Sequence, residues 1–273
     1  MSQFINTNIA ALNAQRNLNA SQSALQTSLQ RLSSGLRVNS AKDDASGLAV
    51  ATGMTSQING MNVAMRNAND AISMAQVAEG AIGKITDNLQ RMRELAIQGA
   101  NSTANGANLQ TEFSALSSEV VRLASSTTFN GQYILAAGAG TMTFQIGANN
   151  TANDSISVTT TRLDTDTNIA GLTTGSIATV AGANAVISTL DSALSTVTTE
   201  RANYGALQNR FEAVISNLQV ASENQSAARA RIMDADFAAE TASMTRAQIL
   251  QQAGTAMLAQ ANQLPNGVMT LLR

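Results

Sequence analysis

The chain has 273 residues, of which 3% are aromatic and 12% charged, with a formal net charge of −2 and neither cysteine nor histidine. No basic tract is available to neutralise a run of phosphates, which argues against nucleic acid as a partner. The missing residue types remove disulfides, thiolate and imidazole metal ligands, and the commonest general base, and no cofactor is expected.

Tryptophan is absent and small or polar residues dominate. That balance suits long Ala-rich helices better than a core of ordinary aromatic content. No stretch approaches the ~18 uninterrupted apolar residues of a membrane span, so no membrane partner is expected. The first thirty residues also lack the basic start and apolar block of a cleavable secretory signal; if the protein leaves the cell, a route other than a cleaved signal carries it.

Phe4, Ala11, Leu18, Leu25 and Leu32 recur every seven residues and are joined by Leu29 and Leu36. This is the periodicity of an apolar helix stripe that needs a partner. Ser33-Ser34-Gly35 and the run 39–44 break it, and Asp43 and Asp44 offer caps for a second helix over about 44–99. Along that helix Met61, Ala68, Ala75, Ile82, Leu89 and Ala96 again fall seven apart.

The Asn105-Gly106 step reads as a turn, and a shorter helix follows at about 107–126 with Leu109, Phe113, Leu116, Val120 and Leu123 on one side. From Phe129 the texture changes. Asn130-Gly131 is a second turn, and Met142, Phe144 and Ile146 alternate with polar residues as a half-buried strand does. Ile156 and Val158 repeat the alternation within 155–161, so a β-hairpin is expected, whereas 162–182 gives only weak signals.

Heptads resume from Val186 through Leu190, Leu194, Val197, Tyr204, Leu207, Phe211, Val214 and Leu218. Arg201 and Gln225 interrupt the seam, where small register adjustments are expected. Asp234 and Asp236 are caps for a last helix, whose apolar residues Leu250, Ala253, Met257, Ala261, Leu264, Val268 and Leu271 alternate in steps of three and four. The expected fold is therefore mainly α: a long helical coiled-coil or bundle with a small β-hairpin region in the middle. Both ends are expected to be fully buried only when many copies assemble.

At INTNIAALNAQRNL, LQRLSSGLRVNSAKDDASGLAVA, RNANDAISMAQVAEGAIGKITDNLQRMRELAIQGANST and TTFNGQYIL the chain resembles bacterial flagellin, the flagellar filament subunit. It does so again at NRFEAVISNL and from SENQSAARARIMDADFAAE to the C-terminus. The likeness covers about 1–135 and 185–273. It implies a homopolymer whose terminal helices, 1–43 and 234–273, form an inner tube. Segments 44–135 and 185–233 would form the surrounding body, with a short β-rich region, 136–184, facing outward.

The resemblance further implies inner-tube packing by Leu18, Leu25, Leu29, Leu32, Leu250, Met257, Leu264, Val268 and Leu271. It implies export by the flagellar secretion apparatus, partners in the filament cap, hook–filament junction proteins and an export chaperone, and an extracellular location. Residues 89–98 resemble the segment recognised by the vertebrate Toll-like flagellin receptor, which would make Arg91, Leu95 and Glu112 contacts. The same spacing also fits a helix core at Leu89, Met92 and Ala96 with a solvated charged side. The metallopeptidase helix of some flagellins needs two histidines and cannot exist here. Competing readings are a hook–filament junction protein and a soluble coiled-coil adaptor.

Overall fold

A computed structural model describes residues 7–103, 105–137 and 139–271, the side chains of 264–271 aside. Among the described residues six α-helices are formed: α1 (Ile9–Ser34), α2 (Ala45–Gly99), α3 (Gly106–Ser126), α4 (Thr167–Gly171), α5 (Val180–Met233) and α6 (Phe237–Leu271). Four short strands lie between α3 and α4: β1 (Thr128–Phe129), β2 (Gln132–Tyr133), β3 (Thr141–Gln145) and β4 (Ser155–Thr159). The chain divides into two compact units, residues 57–223 and residues 1–56 with 224–273. Both divisions fall inside helices, within α2 and within α5.

The larger unit holds the main core. Met61, Ala68, Ala75, Ile82, Leu89 and Ala96, the heptad stripe of α2, are all buried. Phe113 and Val120 of α3 and Leu190, Val197, Tyr204 and Phe211 of α5 are buried with them. Three and a half residues per repeat keep each stripe pointing at its neighbours, so stability comes from packing rather than helix propensity. α5 starts six residues before the heptads resume and runs unbroken through Arg201 and Gln225; the polar interruptions leave the helix itself intact.

The two hairpins follow from local chemistry. Asn130 (φ 49) and Gly131 (φ 77) take the paired left-handed conformations of a tight two-residue turn between β1 and β2. In the second hairpin Met142 faces Val158 and Phe144 faces Ile156, placing the apolar alternation of both strands on one side. Phe144 meets Phe211 of α5 edge-on at 5.8 Å, and Asn67 of α2 donates its side-chain amide to the Gln145 carbonyl at 2.9 Å. These contacts supply the surface that an isolated hairpin lacks.

The stretch with weak sequence signals is ordered by burial. Leu163, Ile169, Leu172 and Ile177 all lie in the core. Asp166 caps α4 by accepting from the Asn168 and Ile169 amides. Gln110 of α3 accepts from the Ile177 amide at 2.6 Å and donates to the Gly175 carbonyl at 3.2 Å. Single apolar residues pinned by one glutamine carry no period that a helix or strand template detects.

In the smaller unit α1 and α6 pack on each other. α1 turns Ala11, Ala14, Leu18, Ser21, Leu25, Ser28 and Leu32 inward, the first and fourth positions of a heptad. Serine and alanine at every second seam position let α6 come close: a Cβ built on Gly254 would sit 3.3 Å from the Leu18 Cδ1. Asn8 caps α1 through the Ala11 amide at 3.1 Å and donates to the Ala261 carbonyl at 2.8 Å.

Two expectations for these helices are corrected. Leu29 lies off the α1 stripe and is exposed; one residue past the seam position Ser28, it turns about 100° away. The face that α6 offers to α1 runs through Met244, Ala247, Gln251, Gly254, Leu258 and Ala261, one residue out of phase with the stripe read from sequence, apart from Ala261. Leu250 and Met257 remain exposed on another face. Phe4 and the side chains of Leu264, Val268 and Leu271 lie outside the described residues.

Candidate functional surfaces

Three of the four carboxylates singled out in the sequence, Asp43, Asp44 and Asp236, have structural tasks. Asp44 accepts from the Gly47 amide at 2.8 Å and caps α2, and Asp236 accepts from the Ala238 and Ala239 amides to cap α6. Asp43 accepts from the Asn39 and Ser40 amides and the Ser40 hydroxyl, which hold its carboxyl below the usual range. Asp234, expected as a second cap for α6, takes part instead through its backbone, in a bridge with Leu36 beside the Arg37 amide on the Met233 carbonyl at 2.6 Å; the cap is Asp236. Among the described residues no cluster of acidic side chains could hold a metal.

A charged cluster spans α2 and α3. The Arg91 Nε donates to Glu112 Oε1 at 2.9 Å, and Arg91 Nη1 donates to Glu94 Oε2 at 2.9 Å. Glu94 and then Glu112 push the Arg91 guanidinium upward from its ordinary value. Arg91 and Glu112 are about half exposed and Glu94 about two-thirds, so the fork is presented to solvent with its geometry already set. Leu95 is 1% exposed and belongs to the core. Its side chain points inward from the helix that carries Arg91.

Two further polar bridges tie α2 to α5. Arg93 Nε donates to Asp191 Oδ1 at 2.7 Å. Glu79 accepts from the Gln208 amide at 2.9 Å and from Arg201 Nε at 3.3 Å, and these two donors, Gln208 first, lower its pKa. Both bridges cross from one helix to the other and fix their register.

The third surface is the outer side of α6. Leu250 and Met257, seven residues apart, are exposed there on one face; Phe237 and Ile249 elsewhere on α6, and Ile9, Leu12 and Leu29 on α1, are exposed too. Large apolar residues left in water at helical spacing mark a binding face. The hollow along Thr241, Thr245, Arg246, Ile249 and Leu250 lies open on one helix, a shape that suits another helix better than a small molecule.

Paired terminal helices, a helical body with a small hairpin, and an apolar outer stripe define a helical structural subunit made for packing against like helices. Comparisons with known proteins agree. The family model for the bacterial flagellin N-terminal helical region matches residues 5–143, and that for the C-terminal helical region matches 187–272. A flagellin of Halalkalibacterium halodurans is 43% identical over 99% of this chain and 100% of its own. Flagellin B of Vibrio cholerae is 35% identical, covering 98% of this chain and 99% of its own over a 371-residue alignment.

The excess of that alignment over the 273 residues here marks this chain as a short form. A Vibrio parahaemolyticus structure described as a candidate flagellar hook-associated protein shares the fold, with TM-score 0.59 at 12% identity over 70% of this chain and 100% of that one.

The chain belongs to the flagellin family. It is a structural subunit that polymerises into the bacterial flagellar filament, outside the cell, and serves swimming motility.

Proposed function

We propose that α1 and α6 line the inner tube of the filament, that the helical body formed by 44–135 and 185–233 surrounds them, and that 136–184 faces outward. The observation that carries this reading is the exposed stripe of α6: Leu250 and Met257 stay in water although Leu18, Leu25 and Leu32 of α1 are half-buried against the same helix. Burying what remains exposed of two such side chains is worth roughly 2–3 kcal/mol per subunit, a gain repeated along the lattice. Leu29 of α1 joins them on the assembly side, and Leu264, Val268 and Leu271 continue the sequence spacing.

In the same reading the protein acts by assembly rather than catalysis. The subunit leaves the cell through the flagellar secretion apparatus without a cleaved signal, attended by an export chaperone. It then meets the hook–filament junction proteins and the filament cap. The half-exposed Arg91–Glu112 fork is the surface offered to the Toll-like receptor, with Leu95 supporting it from within.

Deleting 244–273 tests the core of the reading. The shortened chain remains soluble and helical, and precipitating salt yields no filaments in electron micrographs. Long filaments from the shortened chain would refute it.

A further inference from the structure

The chain contains 11 methionines and no cysteine, so thioether sulfur is the softest, most easily oxidised atom it carries. Nine of the methionines have described side chains. Met61, Met74 and Met92 are buried, and Met54, Met65, Met142, Met233 and Met244 are partly covered. Met257 is 64% exposed, on the same side of α6 as Leu250.

From this distribution we infer that Met257 is an oxidation site whose state decides whether a free subunit can join the polymer. The inference rests on the reading of the α6 outer stripe as an interface between copies of this chain. The co-reactant is a peroxide. A sulfur lone pair attacks one peroxide oxygen, the O–O bond breaks as the S–O bond forms, and the second oxygen leaves as water once protons are balanced. The sulfur gives up two electrons and the peroxide takes them.

The product sulfoxide is polar and chiral where the interface needs a flexible apolar side chain. Its oxygen would enter a dry helix contact without a donor, an arrangement that opposes burial. A subunit already in the filament has Met257 covered and is protected. The device therefore acts on free subunits and is reversible, since sulfoxide reductases restore the thioether.

The test treats soluble full-length protein with hydrogen peroxide to partial oxidation, then polymerises it with salt. Peptide mass mapping follows the gain of one oxygen at each methionine, separately in the polymer and in the supernatant. Met257 is expected to oxidise faster than the other eight described methionines, and its sulfoxide to be concentrated in the supernatant. Reductase treatment of that supernatant restores polymerisation.

Equal Met257 sulfoxide in the two fractions, or a rate no higher than that of Met142 or Met244, overturns the inference. Met257→Gln separates the two levels of argument, with circular dichroism checking that it folds. If this variant polymerises as the parent does, the interface reading fails as well. If it stays soluble while peroxide spares Met257, only the oxidation site is lost.

Discussion

Arg91 and Glu112 meet at 2.9 Å although 21 residues separate them in the chain. The turn between α2 and α3 brings them together, and Glu94, one turn further along α2, holds the second arm of the guanidinium at 2.9 Å. The cluster is displayed on the body surface instead of being spent on the core.

If that fork is what a Toll-like receptor reads, Arg91→Ala loses signalling in a receptor reporter assay with purified monomer. Its thermal unfolding changes little, because half-exposed ion pairs contribute little to stability. Glu112→Ala signals weakly for the same reason. Arg91→Ala signalling as strongly as the parent would show that the receptor docks elsewhere.

Acid sensitivity of the body follows from Glu79. Its carboxylate is favoured in the folded state by Gln208 and Arg201, so its folded pKa lies below the ordinary 4.5. The sign follows directly: the stabilisation is complete above 4.5 and is lost as pH falls through the folded value. Gln208→Ala removes the larger cause, so its stability deficit relative to the parent is greatest near neutrality and narrows below that window. Urea unfolding at several pH values measures the difference, and a deficit independent of pH would exclude this cause.

The Tyr204 hydroxyl is buried without a hydrogen-bond partner. Burial first, and the Glu200 charge second, push its pKa up to about 12. The neutral phenol therefore favours the fold up to the ordinary value of 10.0, and that contribution disappears as pH rises through the folded pKa. Tyr204→Phe removes an unsatisfied polar atom and keeps the ring. It is expected to leave stability unchanged or raise it by up to about 1 kcal/mol, and a loss above that size in urea unfolding would reveal a partner for the hydroxyl.

Phe211 is fully buried and stacks edge-on with Phe144 of the hairpin. Phe211→Ala is expected to cost about 3–5 kcal/mol and to raise hydrogen exchange at the β3 and β4 amides ahead of those in α3. Uniform acceleration throughout the body would mean that the hairpin does not depend on this ring.

Sequence periodicity located the long helices because burial repeats with the helix itself: the α2 stripe from Met61 to Ala96 is buried at every heptad step. It did less well where alanine, serine and glycine can occupy a seam. On α6 the eye follows Leu250 and Met257, whereas contact with α1 is made through Ala247, Gly254 and Ala261, and closeness, not bulk, decides that face. The α4 region was invisible for a related reason, since Leu163, Ile169, Leu172 and Ile177 are isolated plugs with no repeat. The proximity of Arg91 and Glu112 was not legible without the α2–α3 turn; the inward aim of Leu95 follows from its position three residues after Met92, on the core side of α2.

Leucine alternates with alanine or serine along the α1 seam, so the terminal pair is fastened by few large side chains. Warming or dilute denaturant is then expected to release the extremities first, while the body keeps its helices. Hydrogen exchange in α1 running ahead of that in α3 would register the order. Subunits shed gently from a filament would consist of a firm middle trailing two loose threads.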